Sequence, residues 1–207
     1  MKKIFLITIV ASLVLLGHGV ANASLLFFDD FDTEHGGVGI LNYNSFTKWA
    51  VTNGTVDLIG NGFYDFLPGN GLYVDLDGST RKAGQFATKT SFNLTPGIYE
   101  LSFRLAGNHR GGNESVTAQL ALATLYNELF VLPSSAPFTS YTRRINVTTP
   151  TTGTLSFQNA GGDNIGALLD NVKLSVIPEP ATLSLLGLGL LGLLGLRKRR
   201  VSKVVKD

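Results

Sequence analysis

The 207-residue chain has no cysteine, one tryptophan, one methionine and three histidines. Without cysteine there is no disulfide framework and no thiol chemistry, so the fold must be held by a hydrophobic core or by a metal ion. Of the histidines, His18 lies in an apolar N-terminal segment, and His35 and His109 sit in polar or glycine-rich stretches. No Gly-x-Ser-x-Gly elbow is present, and no constellation meets the geometric requirements of an active site, so the reading is non-catalytic, with a glycan-active hydrolase using Asp75 and Asp77 as the least favoured alternative. Charge is sparse as well, at 15% of residues, and the formal net charge of +2 is produced by the two ends. Between residues 24 and 176, nine Lys and Arg face 13 Asp and Glu, a net charge of −4. That balance, with no basic patch, excludes nucleic acid as a partner. There is also no internal repeat and no low-complexity linker, which leaves room for one domain between the ends.

Both ends are apolar. Residues 1–23 carry Lys2 and Lys3, an apolar region over 4–16, and Ala21-Asn22-Ala23 before Ser24. This is the layout of a secretory signal peptide cleaved after Ala23, with Ala21 and Ala23 as the small residues of the site; a retained N-terminal anchor is the alternative. At the other end stands Ile177-Pro178-Glu179-Pro180, followed by an apolar run over 181–196 and then Arg197, Lys198, Arg199 and Arg200. The prolines stiffen the first segment, because each fixes its own φ and keeps its predecessor out of the α region. The 16-residue run would span about 24 Å as a single transmembrane helix, short against a hydrocarbon core of about 30 Å. The four cations form a membrane stop under the positive-inside rule, leaving 201–207 as a cytoplasmic tail.

Between the ends lies one domain over residues 24–176, in which the dominant period from Thr52 to Val176 is two. Phe86, Thr88, Thr90, Phe92 and Leu94 share one face, as do Tyr99, Leu101, Phe103 and Leu105, and Thr95-Pro96-Gly97 between them predicts a hairpin. Further strands are predicted over 55–59, 72–77, 115–126, 128–132, 139–147, 154–158 and 167–176, with breakers between them. Eight or nine short strands predict an all-β fold, an antiparallel β-sandwich.

Asp170 falls on the parity of Leu168, Val172, Leu174 and Val176, which aims its carboxylate inward. A buried carboxylate needs a cation or donors, so either it holds Ca²⁺ or it caps a loop amide at the strand's start. The acidic residues Asp29, Asp30, Asp32 and Glu34 lie where a first strand could run beside the last. Asp75 and Asp77 share the outward parity of their strand and read as a solvated face. The aromatics Tyr43, Phe46 and Trp49 read as core. Tyr64, Asp65 and Phe66, in a glycine-bounded loop, form the candidate glycan-binding set: the rings could stack on sugar and Asp65 accept a hydroxyl.

The stretch IPEPATLSLLGLGLLGLLGLRKRR resembles the PEP-CTERM sorting domain of Gram-negative bacteria. The resemblance implies export and a transient anchor in the inner membrane. An exosortase-type membrane protease would then act at Pro178, Glu179 and Pro180, delivering the protein to the cell surface or an exopolysaccharide matrix. A second resemblance rests on Phe31-Asp32-Thr33-Glu34, on residues 71–78, on residues 94–103 and on Leu169-Asp170-Asn171-Val172. These strings resemble the galactose-binding-like jelly rolls of carbohydrate-binding modules, which implies polysaccharide binding and a structural calcium held by Glu34 and Asp170.

Overall fold

Apolar side chains at every second position oblige each strand to bury one face, and two antiparallel sheets meet on those faces. The computed structural model describes residues 23–121 and 123–178. Numbered in chain order, β1 (Ser24–Asp29), β3 (Asp57–Gly60), β4 (Leu72–Asp75), β7 (Gly97–Ala106), β10 (Thr139–Val147) and β13 (Leu168–Ile177) form a six-stranded sheet. Its order is β10-β7-β13-β4-β3, and β1 lies beside the second half of β13. The facing sheet runs β2-β5-β12-β8-β9, from Trp49–Thr52, Gln85–Thr88, Leu155–Asn159, Asn113–Leu120 and Tyr126–Pro133. A small third sheet pairs β6 (Phe92–Leu94) with β11 (Thr151–Gly153). Residues Ser24–Ile177 form one compact unit. The signal peptide, the apolar span 181–196, the basic cluster and residues 201–207 lie outside the described residues.

The core is aromatic at its centre. Trp49 stacks on Phe86 at 4.4 Å between ring centroids and 9° between planes, with Phe31 and Phe157 tilted against it. Its indole N–H donates to Asp29 Oδ2 at 2.9 Å, so β1 is bonded to β2 through the core as well as to β13 through its backbone. Phe103, Phe130, Tyr141 and Phe157 make a second aromatic group between β7, β9, β10 and β12. Each such ring contributes about 1.5–3 kcal/mol by leaving water, which lets the sandwich stand without a disulfide.

Several expectations need correction. The 86–94 and 99–105 runs do not form a hairpin: β5 pairs with β2 and β12, β6 with β11, and β7 with β10 and β13. Alternation records which face is buried, and both runs bury the right face from opposite sheets. Thr95-Pro96 is a corner between sheets, tied by the Tyr99 hydroxyl donating to the Thr95 carbonyl at 2.9 Å. The 115–126 strand ends at Leu120, where the chain turns and returns as β9 in full register, from Leu120 opposite Tyr126 to Asn113 opposite Pro133. This turn takes Ala121 and Ala123 to φ of 53° and 66°, conformations that alanine does not advertise in sequence. The first strand does run beside the last, as β1 against β13, whereas β2 and β11 were not separately legible, and β11 falls in the stretch 148–153 expected to break structure.

Asp75 and Asp77 are buried, not solvated. Asp75, opposite Leu168, does face outward from the six-stranded sheet, but a second layer covers that face, and Asp77 lies beyond the end of β4. Ile59, Tyr73, Ala106 and Leu168 pack there under Leu41, Phe63, Phe66, Leu67 and Phe138, most of which come from the long β3–β4 connection.

Asp170 is also buried, although it does not share the core parity. The register between β13 and β7 shifts between Asp170 and Lys173, and Asn171 adopts φ of 51°. This bulge inserts one residue and reverses the parity upstream of it. Val172 and Leu174 point into the core, whereas Leu168 and Asp170 point to the covered outer face, where Asp170 pairs in register with Arg104.

Candidate functional site

The connection from β3 to β4 builds the site. Gly60 turns it with φ of 112°, and a Cβ there would run into the Gly71 carbonyl, so only glycine closes the neck. Gly60 and Phe63 exchange backbone hydrogen bonds at 2.9 and 3.0 Å. Asp65 then locks the loop from within: Oδ2 accepts the Gly62 N–H at 3.1 Å and Oδ1 accepts the Tyr73 hydroxyl at 3.0 Å. The Tyr73 oxygen in turn accepts the Leu67 N–H, and burial pushes its hydroxyl up to about 12. Of the three loop residues singled out from the sequence, Asp65 therefore holds the loop. Tyr64 stands 56% exposed at its tip, and Phe66 packs under the Arg110 guanidinium at 5.0 Å.

These residues border an open pocket of about 110 Å³. Tyr64, Phe66, Leu41 and Ile59 supply apolar walls, while Asp57, Asp75, Ser79, Arg110 and Asn164 supply polar ones. Asp57 and Asp75 face each other across β3 and β4. Asp57 receives the Asn42 N–H at 2.6 Å, the Ser79 N–H at 3.3 Å and the Ser79 hydroxyl at 2.8 Å. Asp75 pairs with Arg110 through Oδ2 and accepts the Asp77 N–H at 3.0 Å through Oδ1. Burial pushes the Asp75 carboxyl well above the usual carboxylate range, against the pull of Arg110. A guanidinium carries five donors, and Arg110 directs one nitrogen at Asp75, so it keeps donors for a ligand. The pocket thus offers acceptors, donors and an exposed ring side by side, which suits a ligand rich in hydroxyl groups.

Asp57, Ser79, Arg110 and Asn164 were not anticipated from the sequence. Arg110 had one signal: it is a charged residue inside the glycine-bounded stretch 107–112 that otherwise reads as a breaker. Asp77 sits behind the pocket, fully buried, with Oδ2 on the Gly162 N–H at 3.1 Å and Oδ1 without a partner. Neither histidine meets a carboxylate by hydrogen bond: His35 Nδ1 lies 2.9 Å from the Val38 carbonyl and His109 Nε2 lies 3.2 Å from that of Ala136.

The expected calcium pair is arranged differently. Glu34 accepts the Thr47 N–H at 2.7 Å through Oε1 and the Tyr43 hydroxyl at 3.5 Å through Oε2. Asp170 Oδ2 accepts from Arg104 Nη1 at 3.0 Å and from Asn171 Nδ2 at 2.9 Å, and its Oδ1 takes the Asn171 N–H at 2.7 Å. The two carboxylates share no partner, and the cation beside Asp170 is a guanidinium. The donor set does not fit a calcium ion bridging Glu34 and Asp170. Among the described residues no group of three or more His, Asp or Glu is placed to hold a metal ion.

Comparison with known proteins adds two findings. Residues 176–200 match the PEP-CTERM protein-sorting motif. The sandwich is similar to the CBM22-1 xylan-binding domain from Paenibacillus barcinonensis, at 11% identity and a TM-score of 0.50 over 78% of this chain and 99% of that domain. Less similar are a family 35 carbohydrate-binding module from Clostridium thermocellum, at 15% identity and TM-score 0.42 over 66% and 95% of the two chains, and the C-terminal CBM6 of a Zobellia galactanivorans enzyme, at 14% and 0.40 over 67% and 98%. No curated protein matches the chain. The sorting motif marks an exported protein. The described domain has the jelly-roll β-sandwich fold also seen in that xylan-binding domain, and residues 176–200 match a PEP-CTERM sorting motif.

Proposed function

We propose that this chain is an exported, non-catalytic surface or matrix protein whose sandwich binds exopolysaccharide in the Tyr64–Arg110 pocket. Secretion begins with the signal peptide at 1–23. The apolar run 181–196 and the cations 197–200 hold the chain in the inner membrane until an exosortase-type protease acts at Pro178, Glu179 and Pro180. The observation that carries the binding reading is the exposed Tyr64 ring beside Asp57, Asp75 and Arg110. A sugar presents an apolar C–H face to such a ring and its hydroxyls to such acceptors and donors.

A purely structural surface protein is the second reading, and gel electrophoresis through immobilised xylan, mannan, galactan or β-glucan separates the two. Retardation by at least one polysaccharide supports binding; free migration through all of them supports the structural reading. Processing has its own test. The exported protein should end near Pro180 by mass spectrometry, and an intact C-terminus reaching Asp207 contradicts the sorting scheme.

A further inference from the structure

The sorting tail leaves the sandwich directly from a strand. β13 stays paired to its last residue, Ile177 opposite Ile98, and only residues 178–180 separate it from the apolar run that opens at Ala181. From Ile177 to Ala181 the chain reaches at most about 14 Å. The end of the sandwich at Ile177 is therefore held close to the bilayer for as long as the run spans it.

That end carries a concentration of exposed apolar side chains. Leu25, Leu26 and Phe28 on β1 and Ile98 on β7 are 57, 42, 40 and 41% exposed. The register gathers them, since Leu25 lies opposite Ser175, Phe28 opposite Lys173 and Ile98 opposite Ile177. Leu25, Phe28 and Ile98 share the outer face of the six-stranded sheet with exposed Lys173 and with Glu100, which lies opposite Ser175, and Leu26 stands at the β1 bulge beside Leu25. Lone exposed apolar residues are ordinary, but four around one strand end, with Lys173 and Glu100 between them, form a surface suited to the boundary of acyl chains and headgroups.

The pocket lies at the other end of the same strand. Leu168, the first residue of β13, pairs with Asp75 of the pocket wall. Nine residue steps at about 3.3 Å separate it from Ile177, roughly 30 Å.

We propose that, before processing, the sandwich rests on the lipid surface through Leu25, Leu26, Phe28 and Ile98, with its pocket some 30 Å along β13 from that contact. This rests on the membrane-anchored stage of the sorting reading. The apolar patch is a foot that fixes which way the binding end faces while the chain is anchored.

The absence of cysteine allows a direct test on the full chain. Leu26→Cys, Ile98→Cys and, in the loop at the pocket end, Ser135→Cys each carry one environment-sensitive fluorophore. The labelled chains are reconstituted into phosphatidylcholine–phosphatidylglycerol vesicles with and without a nitroxide lipid. The expected result is a blue shift and loss of fluorescence at positions 26 and 98, with neither at 135. Equal, unquenched signals at all three positions in chains that float with the vesicles overturn the orientation alone. Quenching between labels that grows with protein density, without nitroxide, overturns it in favour of a second copy covering the patch. Failure to float with the vesicles overturns the anchored stage itself, and the orientation with it.

Discussion

Arg104 Nη1 lies 3.0 Å from Asp170 Oδ2, and the second guanidinium nitrogen reaches Asn70 Oδ1 at 2.9 Å. One cation thus ties the last strand of the sheet to the connection that carries Tyr64 and Phe66, while its Cζ lies 4.6 Å from the centroid of the Phe138 ring. Arg104→Met keeps the stem but leaves a buried carboxylate without its counter-charge. We expect a loss of about 3–5 kcal/mol in chemical denaturation near neutral pH, shrinking on acidification as Asp170 takes up a proton.

The same pair decides the calcium question. With Arg104 as the counter-ion, EDTA should leave the melting midpoint unchanged and added calcium should not raise it. A midpoint that falls with EDTA in the wild type, and no longer responds in Asp170→Asn or Glu34→Gln, would reinstate the bridging ion.

Stability should rise, not fall, on mild acidification. Burial raises the carboxyls of Asp29, Asp75, Asp77 and Glu114, and lifts Asp170 to about 6 despite the pull of Arg104. The native state binds these protons more tightly than the unfolded chain. The stability they contribute is therefore full below the unfolded pKa, near 4, and is lost as pH rises through the folded values. For Asp170 this is on the order of 3 kcal/mol. Thermal melts should move to higher temperature as pH is lowered from about 7.5 to about 5, and less so in Asp170→Asn. A midpoint that declines throughout that interval contradicts the assignment.

Gly60 and Gly62 separate two effects in the connection bearing the site. An added Cβ at Gly60 would strike the Gly71 carbonyl at φ of 112°, whereas Gly62, at φ of 86°, has open space around it. Gly60→Ala should cost about 2 kcal/mol or more and weaken polysaccharide binding, and Gly62→Ala about 1 kcal/mol with binding intact. Trp49, buried and the sole tryptophan, reports both unfolding transitions by its fluorescence.

The sandwich was legible in the sequence because period-two burial is a property of single strands. The stiff segment, apolar span and basic stop at the C-terminal end were legible from composition and proline chemistry, and their sorting role from the resemblance to the PEP-CTERM motif. Strand pairing was not legible: residues 86–94 and 99–105 alternate equally well as hairpin partners or as members of opposite sheets, and only the Tyr99–Thr95 bond reveals the corner. Asp170 shows the same limit, since one bulge residue reverses the face that a parity count assigns to it. The burial of Asp75 and Asp77 depends on a connection folding over the outer face, a long-range event that local alternation does not record. In the site, Tyr64 stood out as an aromatic between glycines, whereas Arg110 and Asp57 arrive from strands and loops distant in sequence.

The most direct measurement is affinity electrophoresis of the wild type beside Tyr64→Ala and Leu129→Ala, two exposed positions on different strands or loops. Losing the Tyr64 stack should remove about 0.5–1.5 kcal/mol, a twofold to tenfold weaker dissociation constant. Retardation of the wild type and of Leu129→Ala, diminished in Tyr64→Ala at an unchanged melting midpoint, is the expected result. Equal retardation of all three would place binding elsewhere on the sandwich, and no retardation of any by any polysaccharide would contradict the binding function.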